Sequence, residues 1–131
     1  MYTPEPLPAK PYSIAQAIAR MEGWYIAGEE ANRPQRNNNP GDLDFAPWQV
    51  AHGATLEVNP YMRPRFACFP SAAQGWDCLR ALLAGPLYCN LTVEDAINRY
   101  APPSENDTMN YVDFVCELCE CDKQTLVKEL L

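Results

Sequence analysis

Residues 13–23 constrain this chain more than any other stretch, because they spell out one helix from its first cap to its last residue. Ser13 and Gln16 form an S-x-x-Q capping box, in which each side chain satisfies a backbone N–H that the first turn leaves free. Ile14, Ala17, Ile18 and Met21 recur at helical spacing and make one apolar stripe. Gly23 can take the left-handed conformation that ends a helix. Glu22 is then the last residue of the helix, one turn after Ile18, at the margin of the stripe. Two influences at that place raise a carboxyl pKa: the negative end of the helix dipole and apolar cover. A carboxylic acid that keeps its proton near neutral pH can give it to a glycosidic oxygen. A surface glutamate with no chemical role would end a helix in the same way, so the helix alone leaves both readings open.

The 131 residues suffice for one domain with its own core. We expect that domain over residues 13–131, preceded by a mobile Pro-rich arm at residues 1–12. Apolar residues make up 47% and charged residues 21%, which excludes a disordered chain. The formal net charge of −7 argues against a nucleic-acid partner. No apolar run approaches membrane-spanning length, so no membrane span is expected. The first eleven residues carry no basic flank and no apolar core of a signal peptide. The expectation is cytoplasmic synthesis of a monomer, with action at a cell wall only after export or delivery by a virion.

Without a leader, reduced thiols are the default for the six cysteines. Cys116, Cys119 and Cys121 form a C-x-x-C-x-C run that invites a zinc reading. The single histidine, His52, is far away in sequence and stands before Gly53 in a turn. Small buried thiols are the better account, and neither a metal nor an organic cofactor is expected.

From residue 24 to residue 35 the periodicity disappears and Gly28 and Pro34 mark a loop, which carries Glu29 and Glu30. Arg36-Asn37-Asn38-Asn39-Pro40-Gly41-Asp42-Leu43 is turn chemistry: Asn bonds nearby backbone, Pro fixes φ, and Gly takes positive φ. Asn amides can also donate to and accept from sugar hydroxyls and N-acetyl groups, so a rigid turn and a binding turn are both compatible with it. Residues 55–58 and 65–69 alternate enough for a small hairpin or sheet. Trp48, Tyr61 and Phe66 stand among prolines here. They could stack on sugar rings or simply cover the core.

Four further helices follow. Ser71 with Gln74 opens one that carries Trp76, Leu79, Leu82 and Leu83 and stops at Gly85-Pro86. Thr92 with Asp95 opens the next, ended by Pro102-Pro103. Asp107 or Thr108 starts a third with Tyr111, Val115 and Leu118 inward. Asp122 caps a last helix carrying Leu126, Val127, Leu130 and Leu131. The sum is a mostly α domain of about five helices, with a small hairpin or sheet inserted after the first helix.

Four stretches together resemble a known family: AIARMEGWY (residues 17–25), RNNNPGDL (36–43), FACFPSAAQGW (66–76) and RYAPPSENDTMNYV (99–112). Their order is similar to that of small lysozyme-like proteins of phages and bacteria, related to the soluble lytic transglycosylases. The resemblance implies an α+β lysozyme-like fold and a peptidoglycan-cleaving glycosidase. In that superfamily the catalytic Glu closes the first core helix, as Glu22 does here. A Glu-Thr-Arg-x-Tyr-Val type segment supplies a tyrosine that orients it, which maps to Tyr111. Thr108 and Asn110 depart from the arginine context of that segment. Relatives commonly show Gly-Asn where this chain has Gly41-Asp42, so a sugar contact by that amide would be altered here. Asn38, Asn39 and Asp42 are the expected turn-borne contacts to sugar.

The implied reaction is lytic transglycosylation between N-acetylmuramic acid and N-acetylglucosamine, with Glu22 as acid and then base. Hydrolysis is the rival within the same class, and would need a positioned base such as Glu30, Asp42 or Asp44. The other class is a catalytically inactive lysozyme-like protein, either a structural virion component or a glycan-binding module.

Overall fold

A computed structural model describes residues 1–60 and 62–131. The chain is mostly helical, with one small two-stranded antiparallel sheet. Tyr61, one of the three aromatic residues singled out for sugar stacking, lies outside the described residues.

Helix α1 spans Ile14–Glu22. Its capping box closes as the sequence requires: Gln16 N donates to Ser13 Oγ at 3.2 Å and Ser13 N donates to Gln16 Oε1 at 2.9 Å. Gly23 ends the helix at φ 100°. Ile14, Ala17 and Ile18 are fully buried, and Ala15 and Ala19 are buried beside them, so α1 is covered over more than one stripe. A helix with that much apolar surface stands inside the molecule.

Helix α2 is a single turn, Arg33–Arg36, within the stretch expected to be loop. Asn32 and Gln35 make a second reciprocal capping box there, with Pro34 in the first turn. The loop expectation failed because four residues are too short to show an apolar period, although the cap itself was visible in the sequence.

A 3-10 helix follows at Pro47–His52, and then strands β1, Thr55–Leu56, and β2, Ala67–Cys68. Thr55 faces Cys68 and Leu56 faces Ala67. The sheet falls where the alternation put it but is only two residues long on each side. A further bridge joins Asp44 to Phe66 and ties the Asn turn to β2.

Helices α3 (Ala72–Ala84), α4 (Val93–Tyr100) and α5 (Thr108–Cys119) begin at Ser71, Thr92 and Asp107, each accepting a bond from the backbone N–H three residues on. α1 packs against α5 and α3, and α4 packs against α5. Val93, Ala96 and Ile97 of α4 meet Tyr111, Val115 and Leu118 of α5 within one core cluster.

The last helix differs from expectation. Asp122 accepts from Gln124 N in a tight turn, and only Val127–Leu130 form a 3-10 turn. Val127 N donates to Leu91 O and Lys128 N to Cys89 O, so the tail bonds sideways to the α3–α4 connection. Val127 is fully buried while Leu131 is exposed.

The N-terminal arm is docked rather than mobile. Tyr2 bridges to Gly28, and Tyr12 N donates to Leu118 O at 2.8 Å. Glu5 Oε1 accepts from the indoles of Trp24 and Trp76 at 3.1 and 3.0 Å. Two indole N–H groups that face the same place need an acceptor, and the arm supplies it.

Candidate active site

A cleft of about 510 Å3 opens beside the end of α1. One wall is the turn and loop at Asp42, Asp44, Trp48, Arg65 and Phe66. The other includes Leu82, Tyr88 on the turn that follows and Tyr100, with Glu105 further along the chain. Glu22 lines it, because α1 stops there and Gly23 turns the chain away.

The Glu22 side chain is partly buried. Tyr111, buried on α5, donates its hydroxyl to Glu22 Oε2 at 2.8 Å. Burial pushes the Glu22 carboxyl above the usual range, and the Tyr111 bond offsets part of that rise. Burial likewise raises the Tyr111 hydroxyl, as does the neighbouring Tyr100, so Tyr111 stays a neutral donor.

Asp42 lines the same cleft. Its backbone is left-handed at φ 48°, a conformation that Asp tolerates better than most residues. Burial and the Glu22 charge raise its carboxyl to about 7. Arg33 and Arg65 oppose that rise, but each is engaged elsewhere: Arg33 with Glu57 and Arg65 with Asp44.

Asn38 and Asn39 do not line the cleft. Asn38 Nδ2 donates to Phe69 O at 3.0 Å. Asn39 is 0% exposed; its Nδ2 donates to Leu43 O and Ala67 O, and its Oδ1 accepts from Leu43 N. These amides replace backbone pairing where the turn passes under β2. Neither lines the cleft, so of the three turn residues expected to contact substrate only Asp42 reaches it.

Among the other candidate bases, Asp44 lines the cleft, whereas Glu30 is exposed and lies outside it, as does its neighbour Glu29. Trp48 and Phe66 line it; His52 sits edge-on to Trp48 at 5.9 Å. All six cysteines are free, with Cys78 and Cys119 buried. Among the described residues, no group of three or more His, Cys, Asp and Glu side chains is placed to hold a metal ion. No helix there is long and apolar enough to cross a membrane.

Two contributions escaped sequence reasoning. Tyr100 lines the cleft and donates its hydroxyl to Gly41 O, which holds the turn just before Asp42. Glu57, only 4% exposed, takes bonds from Arg33 Nε and Nη2, Asn37 Nδ2 and the backbone N–H groups of Arg65 and Phe66. Those donors hold its carboxyl down at about 2. Glu57 thus joins α2, the Asn turn and the approach to β2, which together form one side of the cleft. A glutamate just after a short polar strand gave no sign of this in the sequence.

No family model matches the chain. It is similar to Protein P5 of Pseudoalteromonas phage PM2, with 34% identity over 93 residues, covering 66% of this chain and 54% of that protein. The chain therefore spans about half the length of the curated relative it matches.

Proposed function

We propose that this chain cleaves the glycan strands of peptidoglycan, with Glu22 as the proton donor. The observation that carries the proposal is the Glu22–Tyr111 pair in an open cleft: a partly buried carboxyl, raised by burial and aimed by one hydroxyl. General acids are matched to neutral pH in this way. The lysozyme-like resemblance supplies the substrate class, and the similarity to a phage protein fits delivery by a virion.

The route proposed is lytic transglycosylation. Glu22 protonates the oxygen that leaves N-acetylmuramic acid, and the N-acetyl group steadies the positive charge on the sugar. Glu22, now ionised, removes the proton from the same sugar's primary hydroxyl, whose oxygen closes the anhydro ring. Tyr111 holds the carboxyl group in position through both steps. One carboxyl group suffices because the substrate brings its own nucleophile. Asp42 and Asp44 beside Glu22 favour hydrolysis as the second reading, since either could hold a water.

A zymogram on purified peptidoglycan, followed by mass analysis of released fragments, tests the proposal. Anhydro products support transglycosylation, and products heavier by one water support hydrolysis. Absence of cleavage by wild type, with binding equal for wild type and Glu22→Gln, would instead support a glycan-binding or structural virion protein.

A further inference from the structure

We propose that Asp42 is the proton partner of Glu22: the two carboxyl groups line one cleft and hold a single proton between them while the protein awaits substrate. As a matter of function this rests on the glycan-cleaving reading above; as a matter of chemistry it stands on the geometry.

The turn cannot carry Asp42 away from the cleft. Asp42 N donates to Asn39 O at 3.0 Å, and Gly41 O accepts from Tyr100. A Cβ placed on Gly41 would meet Tyr100 Oη at 2.6 Å and Leu79 Cδ1 at 2.8 Å, so the backbone there is pressed against α3 and α4. Asp42 takes a left-handed backbone in this turn, and it lines the same cleft as Glu22.

The two carboxyl groups are unequally served. Glu22 Oε2 receives the Tyr111 hydroxyl, a donor that favours its ionised form. Asp42 Oδ1 is buried and has no hydrogen-bond partner. An ionised oxygen buried without a donor is costly, and a proton on that carboxyl removes the charge. The other charged groups do not change this balance. Glu57, following β1, adds negative charge. Arg33 of α2 and Arg65 before β2 counter it, but they are bound to Glu57 and Asp44. Tyr100 of α4 and Tyr111 of α5 stay neutral. In the resting protein the shared proton therefore sits on Asp42.

The arrangement answers a difficulty in the proposed reaction. The Tyr111 bond offsets part of the rise that burial gives Glu22, and whatever fraction of Glu22 is ionised cannot act as an acid. A proton passed from Asp42 to Glu22 makes it one. Glu22 gives that proton to the leaving oxygen as the glycosidic bond breaks. It regains one from the primary hydroxyl as the new C–O bond forms, and the proton returns to the pair. None is consumed. Asp42 acts through Glu22 and is a positioning residue, and an asparagine in its place could store no proton.

The test begins on the substrate-free protein, by following the 13C signals of the Glu22 and Asp42 carboxyl groups with pH. Coupled sites titrate in macroscopic steps that belong to the pair. Both signals should show two steps, the later one close to neutrality. In Asp42→Asn, Glu22 should titrate once, about one pH unit or more below that later step. In Glu22→Gln, Asp42 should likewise titrate once and lower, which keeps the test open if Asp42→Asn does not fold. A single Asp42 step in the ordinary range near pH 4, untouched by Glu22→Gln, overturns the proposal. The second readout is cleavage against pH: Asp42→Asn should move the alkaline limb to lower pH, and an unmoved limb overturns the functional role. If the NMR steps are shared but no variant cleaves glycan, the proton pair stands and the glycosidase reading falls.

Discussion

The Tyr111 hydroxyl lies 2.8 Å from Glu22 Oε2 and donates to it across 89 residues of sequence. The bond links the last residue of α1 to the first turn of α5, two helices that pack against each other. The packing brings these two side chains together at the edge of a cleft rather than in the core.

Glu22→Gln keeps the shape but removes the transferable proton. We expect a loss of about two to four orders of magnitude in glycan cleavage. Tyr111→Phe removes only the orienting hydroxyl and should cost less. The double variant should be no worse than Glu22→Gln, because groups that act as one unit are not additive. Turnover of wild type and the three variants on one peptidoglycan preparation checks this, and equal rates for wild type and Glu22→Gln would remove Glu22 from the mechanism.

Asp42→Asn should stabilise the folded protein at alkaline pH. Its carboxyl is raised from 3.8 to about 7 in the fold, so the folded state binds the proton more tightly than the unfolded chain. Stability from this group is present below the unfolded value of about 3.9 and is lost as pH rises through about 7. The variant escapes that loss. Because the side chain is partly open to solvent, the gain at pH 8 should be only about 1 kcal/mol, with none at pH 3.5. Denaturant midpoints at the two pH values measure it.

Glu57 predicts the opposite pH behaviour. Its carboxyl is depressed to about 2, so its stabilisation is complete above the unfolded value of about 4.3 and disappears as pH falls toward 2. Glu57→Gln should cost about 3 kcal/mol at neutral pH, because it leaves Arg33 unpaired beside groups that were bonded to the carboxylate. Its thermal midpoint should also vary less than wild type between pH 4 and pH 2. A wild-type-like midpoint at pH 7 would show that Glu57 does not hold this wall of the cleft.

Gly75→Ala sets two effects against each other. Alanine in place of glycine within α3 gains about 1 kcal/mol of helix propensity. The new Cβ would lie 1.9 Å from Asn38 O, a backbone atom in a bonded turn, and something must move. Overpacking of that kind costs about 1–3 kcal/mol, so the net result should be destabilisation by up to about 2 kcal/mol. Urea unfolding measures the sign, and a stabilised variant would show that the turn can yield.

The ends of α1, α3, α4 and α5 were legible in the sequence because a cap is a local bond. Ser13 with Gln16, Ser71 with Gln74, Thr92 with Asp95 and Asp107 with Asn110 each join residues three apart, and no distant partner is needed to form them. The position of Glu22 followed from the same logic, since Gly23 ends the helix wherever α1 packs. The direction of the asparagines did not. An amide in an Asn-rich turn can face solvent, sugar or backbone, and Asn39 faces inward because Ala67, 28 residues later, offers a carbonyl there. Glu57 is a hub only because Arg33 and Asn37 arrive from 24 and 20 residues earlier. Asp42 shares a cleft with Glu22 from a turn that Tyr100 bonds at Gly41, 59 residues earlier, and that Leu79 closes in. Bonds between near neighbours are written by the residues that make them, whereas the environment of a loop carboxyl is set by whatever the rest of the chain packs against it.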